Sequence, residues 1–493
     1  MPVSPRSSVK FKELPVFAVV ALLATSLSSS AAAQDARAVI AAASKTMRAD
    51  ALNTIEMSAT GFDYVLGQAY APNEPWPKFI DKSYTRAIDF RVPASRVDRI
   101  RMQGENPPRG GGQQPLRGEQ PQSQTVIVNA STPWIQQLDI WMTPHGFLRA
   151  AVANNATVAS QTIGGKRYNV LTFMGQNKAP VRGYINAENL VERVETQIDN
   201  AMLGDVLFEA IYSDYKDFGG IKVPTRIVQK QGGYPTLDLT VTDVKTNAAV
   251  SIQPPQGRGA APAAAPAPAA GGVPSEKLAD GVYLILGGYA SLAVDFKDYI
   301  VVIEGPQSEE RATAVITEAK RLIPNKPIRY VVNTHHHFDH ASGLRTFVAE
   351  GATVVTHQIN RQYYEKTFTA PHTLNPDKLA ASKRKASFET VTEKKILTDG
   401  NHVVELHHLQ GSGHNAGLIV AYLPKEKILL EADAYNPPAQ ANAPPPSPPS
   451  PYTLNLVDNL QRLKLDVQTV IPVHYAADGR KVTMAEVMKA VGN

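Results

Sequence analysis

Thr334-His335-His336-His337-Phe338-Asp339-His340 is the stretch that decides how this chain is read. It follows the apolar run Ile328 to Asn333, which has the length and composition of a buried strand. Residues i and i+2 of an extended segment point the same way, so His335 and His337 can share one cation. The turn that follows lets the adjacent Asp339 and His340 face a second. His336 and Phe338 then point elsewhere. A lone histidine is ordinarily a hydrogen-bonded core or surface residue, but four ligand-type side chains within six residues ask for another explanation.

Eleven of the twelve histidines lie between His335 and His474, so this region uses imidazole. Three single residues downstream gain meaning from the cluster. His414 sits in Gly411-Ser412-Gly413-His414-Asn415-Ala416-Gly417, ahead of the strand-like Leu418 to Leu423. Asp433 closes the apolar run Ile428 to Glu431, and His474 closes Thr469 to Val473. Each is a ligand-type residue at the end of a buried strand, where open α/β sheets present functional groups.

From Gly281 onward strands and helices alternate, which argues for an α/β layer structure. Strands are expected at Val282 to Leu286, Ser291 to Phe296, Tyr299 to Ile303, Ile328 to Asn333, Thr353 to Thr356 and His402 to Leu409. Helices are expected at Glu309 to Leu322, Ser342 to Glu350 and Asn455 to Leu465.

The set H-x-H-x-D-H, Gly-x-Gly-His, strand-ending Asp and strand-ending His resembles the metallo-β-lactamase superfamily, over about residues 280 to 480. The resemblance implies an αβ/βα sandwich. It also implies two divalent metal ions, zinc first and iron or manganese as alternatives. His335, His337 and His414 would hold the first, Asp339, His340 and His474 the second, and Asp433 would bridge them. Asp339 is the expected catalytic residue, orienting the attacking water. Leu278 to Tyr283 and Val301 to Glu304 are also similar to the family's first strands, although Glu304 stands where the family usually has Asp.

Two divalent ions about 3.5–4 Å apart acidify a shared water enough to give hydroxide at neutral pH and polarise the oxygen under attack. The expected reaction is hydrolysis of a small ester, thioester, lactone or amide, at a glyoxalase II-like site. Retention of His337, where flavin-linked diiron relatives carry Glu, favours hydrolysis over oxygen reduction. Asp433 and the absence of Cys point away from true β-lactamases. A persulfide-dioxygenase-like iron enzyme, a β-lactamase and a periplasmic binding or carrier protein with a secondary metal domain remain alternatives. His336, His357, His402, His407 and His408 read as structural or supporting residues, and His372 is left without a role. The Pro-rich segment Asn436 to Pro451 either lines the cleft or is a passive connector.

The remainder of the chain has a different character. Arg6, Lys10 and Lys12 precede the apolar run Leu14 to Leu27 and the small residues Ser28 to Ala33. This pattern predicts a signal peptide over 1–33, cleaved after Ala33, with no stable membrane insertion afterwards and a periplasmic or secreted product. Without Cys neither disulfides nor lipidation at the cleavage site enter the account. Residues 34–250 read as a β-rich (α+β) accessory domain. Its late segments, Tyr215 to Thr246, resemble the curved sheet of outer-membrane lipoprotein carriers. Gly104 to Gln124 reads as a mobile surface loop, 251–275 as an Ala/Pro/Gly linker, and 276–493 as the metal-binding domain. A net charge of +5 over 493 residues is too mild to argue for nucleic acid, which leaves a small-molecule substrate as the expected partner. Oligomeric state is not encoded in any pattern found.

Overall fold

The computed structural model of the chain describes residues 27–253 and 273–492, with side chains from residue 35 onward. The expected leader up to residue 26 and the linker over 254–272 lie outside the described residues. Among the described residues no helix is long and apolar enough to cross a membrane.

The N-terminal half builds one eleven-stranded antiparallel sheet in which consecutive strands pair, except that Gln120–Ile127 and Thr157–Ile163 form its two opposite edges and Thr54–Tyr64 pairs with the last strand, Tyr234–Thr246. Alternation explains why these segments are strands. In Ile221–Gln231, for example, Ile221, Val223, Thr225, Ile227 and Gln229 are buried on one side. The helices Leu27–Met47, Trp134–Trp141 and Pro144–Ala153 share one hydrophobic cluster with the sheet, joining Ile40, Ala43 and Met47 to Phe147, Leu171 and Val194. Phe147 lies so close to the sheet that a Cβ on Gly183 would stand 2.1 Å from its ring, which is why that strand carries glycine there.

The C-terminal half is a four-layer sandwich. A seven-stranded sheet faces a six-stranded one, and the apolar side chains between them include Val294, Val301 and Val332 from the first and Val404, Leu406, Ala421 and Leu430 from the second. Glu309–Leu322, Leu344–Glu350 and Gln358–Thr367 cover the outer face of the first sheet through Val315, Phe347 and Tyr364. Pro451–Leu463 and Met484–Ala490 cover the outer face of the second through Leu456, Leu460 and Val487. This is the expected αβ/βα arrangement behind a β-rich domain.

Local signals place Glu309–Leu322 as read, whereas the helix expected over Asn455 to Leu465 begins at Pro451 and Gln358–Thr367 was not expected. Ser308 caps Glu309–Leu322 by accepting from Arg311 N, with Glu309 and Glu310 in the first turn and Lys320 and Arg321 in the last, matching charge to the helix dipole. The expected strand ends fall within one or two residues of those observed.

Candidate metal centre

The strand Ile328–Val332 ends one residue earlier than expected, so His335 and His337 project from a loop and not from extended strand. They still converge, because the loop is built around the buried Asn333. Its Nδ2 donates to the His335 carbonyl at 2.7 Å and to the His340 carbonyl at 3.2 Å. Its Oδ1 accepts from Tyr364 Oη at 2.6 Å and from Thr356 Oγ1 at 3.1 Å. Four bonds on one carboxamide fix the loop before any ligand is considered.

His414 arrives from the turn before Ile419–Leu423, Asp433 from the end of Ile428–Glu431, and His474 from the end of Thr469–Pro472. Asp433 has φ 60°, a left-handed turn that carries its carboxylate back over the strand ends. The buried Glu431 braces that turn, accepting from Ala434 N and Tyr435 N at 3.0 Å each. Burial pushes the Glu431 carboxyl up to about 8.

All seven expected residues meet, in the groups His335/His337/His414, His335/His340/Asp433 and Asp339/His340/His474. His335 Nε2 lies 3.2 Å from His414 Nε2, and His340 Nε2 lies 3.2 Å from His474 Nε2. Asp433 stands between the two pairs. Its Oδ2 is 3.5 Å from His335 Nε2, 3.4 Å from His414 Nε2 and 2.8 Å from His340 Nε2, while Oδ1 is 3.0 Å from His474 Nε2. Asp339 Oδ2 approaches His340 Nε2 at 3.4 Å and is the most open of the set, with 29% of its side chain exposed.

The donor set fits cations. Burial, reinforced by neighbouring imidazoles, holds His335 and His337 well below the usual histidine range, so they offer lone pairs and not protons. His337 Nδ1 is buried with no hydrogen-bond partner. Burial also works against charging His340, but Asp339 and Asp433 together outweigh it and hold that imidazole well above its usual range. Neutral ring nitrogens pointing at one another beside two carboxylates form a cluster that attracts positive charge, as a borderline divalent metal with N and O ligands does.

Several supporting residues carried no sequence signal of their own. Tyr289 Oη donates to Asp339 Oδ2 at 2.9 Å, and its ring lies 4.5 Å from that of His474. Glu304, the departure noted above, is buried and accepts from Thr334 N at 3.3 Å, with its other oxygen 3.5 Å from His340 Nδ1. The metal loop is therefore supported from this position despite the longer side chain.

The N-terminal domain also reaches the cluster. Ala69 O accepts from His337 Nε2 at 2.8 Å, Gln68 Nε2 donates to Asp339 Oδ1 at 2.8 Å, and the Gln113 carboxamide meets His474 Nδ1. Gly104 to Gln124, expected as a mobile surface loop, is docked here instead: Gly110 N donates to Gly413 O at 3.0 Å, and its last residues pair in the sheet as part of Gln120–Ile127. Composition alone suggested mobility, whereas the Gly110 backbone and the Gln113 side chain make this contact. The Pro-rich segment meets the same loop, through Asn436 Nδ2 to Gln113 O at 2.9 Å and Arg117 to Pro448 O.

The remaining histidines stay outside the cluster. His336 Nδ1 pairs with Asn415 Nδ2 at 3.0 Å, His408 Nε2 donates to Ala416 O at 3.0 Å, and His407 pairs with Glu405 at 2.9 Å. His372 lies in a loop next to the N-terminal domain, whose Asp205 carboxylate accepts from Thr373 N at 2.9 Å and Leu374 N at 3.1 Å.

Residues 290–474 match the model of the Metallo-beta-lactamase superfamily. Among solved structures, the chain is similar to a metallo-beta-lactamase from Pontibacter korlensis, at 18% identity and TM-score 0.34 over 45% of this chain and 97% of that one. It is similar to a metallo-beta-lactamase from Hirschia baltica, at 16% identity and TM-score 0.34 over 45% and 97%. A third is the metallo-beta-lactamase FIM-1 from Pseudomonas aeruginosa in its mono-zinc form, at 17% identity and TM-score 0.35 over 46% and 96%. No curated protein matches the chain.

Proposed function

We propose that this chain, whose residues 290–474 match the Metallo-beta-lactamase superfamily model, is a metal-dependent hydrolase acting on a small ester, thioester, lactone or amide. His335, His337 and His414 would hold one divalent ion, Asp339, His340 and His474 a second, and Asp433 both. Zinc suits this N/O donor set, with iron or manganese as alternatives. Bound there, such ions supply Lewis acidity and lower the pKa of water toward neutrality.

The chain's own residues supply the rest. Asp339 is the carboxylate best placed to accept a hydrogen bond from water and aim its lone pair, since it is the open member of the cluster. Tyr289 and Gln68 each occupy one of its oxygens and so fix the carboxylate plane. His335, His337, His340 and His414 are fully buried, which keeps bulk water from them and strengthens electrostatic interactions inside the site. The leader pattern over 1–33 supports a periplasmic or secreted product.

The observation that carries this reading is the position of Asp433 between both histidine pairs, at 2.8–3.5 Å from four imidazole nitrogens. The test is a substrate panel of esters, thioesters, lactones, amides, phosphodiesters and a chromogenic β-lactam, given to the metal-loaded chain before and after chelation. Chelator-sensitive cleavage in the carboxylic ester or amide classes is expected. Turnover that survives chelation overturns the reading.

A further inference from the structure

The N-terminal domain was read from sequence as an accessory, yet it touches three of the seven clustered residues on the side away from their neighbours in the cluster. We infer that it completes the metal centre, with Gln68 and Gln113 acting as positioning residues and the Ala69 carbonyl fixing a tautomer. This rests on the reading of the cluster as a metal site.

His337 Nε2 must carry its proton to donate to Ala69 O at 2.8 Å, which leaves the unpartnered Nδ1 as the lone pair offered to a cation. His474 turns Nε2 toward the cluster, 3.0 Å from Asp433 Oδ1, and Gln113 Nε2 faces its Nδ1; with Nε2 offered as a ligand, Nδ1 carries the proton, and the Gln113 carboxamide, turned about its terminal bond, presents Oε1 to it. Gln68 works in the opposite sense. Its Nε2 donates to Asp339 Oδ1 at 2.8 Å and so holds a negative group. Partners of this kind orient ligands and tune their basicity, and their loss typically weakens metal affinity about 10–100-fold.

The two loops that bring these groups are held in register by backbone contacts. Phe338 N donates to Gly67 O at 3.2 Å, Ala416 N to Tyr70 O at 2.8 Å, and Tyr452 Oη to Gly110 O at 3.1 Å. Gly67 has φ +75°, and a Cβ there would stand 2.3 Å from the Phe338 ring, so this close approach requires glycine. The register therefore belongs to the interface and is independent of the two glutamine side chains, both of which are solvent-accessible.

The test uses the full-length chain loaded with zinc and titrated against a chromogenic chelator, with the cobalt-substituted absorption spectrum as a second readout. Gln113→Glu keeps an acceptor for His474 and should retain zinc as the wild type does, whereas Gln113→Leu should release the weaker-held ion about 10-fold more readily. Gln68→Glu places a carboxylate against Asp339 and should lose affinity, while Gln68→Leu should fall between. A purely structural contact would treat the two Glu variants alike. Equal affinities and spectra across all four variants overturn the inference alone. A wild-type chain that retains no metal overturns the metal reading and this inference with it.

Discussion

The hydroxyl of Tyr289 donates to Asp339 Oδ2 at 2.9 Å, so the most exposed carboxylate of the cluster is held by a side chain from outside the histidine motif. Hydrogen bonds to charged groups contribute about 1.5–3 kcal/mol. Tyr289→Phe should therefore lower kcat about tenfold or more while metal content stays at the wild-type value. Kinetics and elemental analysis on one preparation check this, and an unchanged kcat removes Tyr289 from the orientation of Asp339.

Interdomain contacts predict how the two halves separate. Asp205 with Thr373 and Leu374, Gly67 with Phe338, and Gly110 with Gly413 join them at sites far from the linker in sequence. Proteolysis within 254–272 should leave two fragments that elute together on gel filtration. Denaturant-separated C-terminal fragment should retain less metal than the nicked complex. Fragments that part spontaneously, with full metal content, would show the interface to be weak and dispensable.

The clustered histidines and aspartates were legible because each is a chemically distinctive side chain next to an apolar run. Asp433 and His474 end such runs, and His414 precedes one in a Gly-rich turn. Asn333 and Tyr289 were not legible. A buried Asn and a half-buried Tyr are common, and their role depends on which loops stand opposite them. The contacts of Gln68, Ala69 and Gln113 were hidden for a stronger reason: they join residues 361 positions apart in the case of Gln113 and His474, and a backbone carbonyl leaves no trace in residue type. The helices Trp134–Trp141 and Pro144–Ala153 escaped notice because they are short and interrupt a long series of strands.

His145 gives a pH dependence to the N-terminal domain. Burial pushes its imidazole down to about 4, below an unfolded value near 6.5, so the unfolded state binds more protons between those two pH values. Stability should rise as pH increases through that window and be lost as pH falls through it, by up to about 3 kcal/mol. Trp76, Trp134 and Trp141 are the only tryptophans and all lie in this domain, so their fluorescence reports it selectively. Urea midpoints at pH 4.5 and 7 should differ less in His145→Gln than in the wild type. An identical pH slope would exclude His145 as the cause.

Asp433 is proposed to join two cation sites. Elemental analysis of metal per chain after exhaustive dialysis, wild type beside Asp433→Ala, tests it most directly. A carboxylate shared by two ions offsets their repulsion, and without it the site of three neutral imidazoles should outlast the other. About two ions are expected for the wild type and about one for Asp433→Ala. Two ions held equally tightly by both proteins, or none by the wild type, would contradict it.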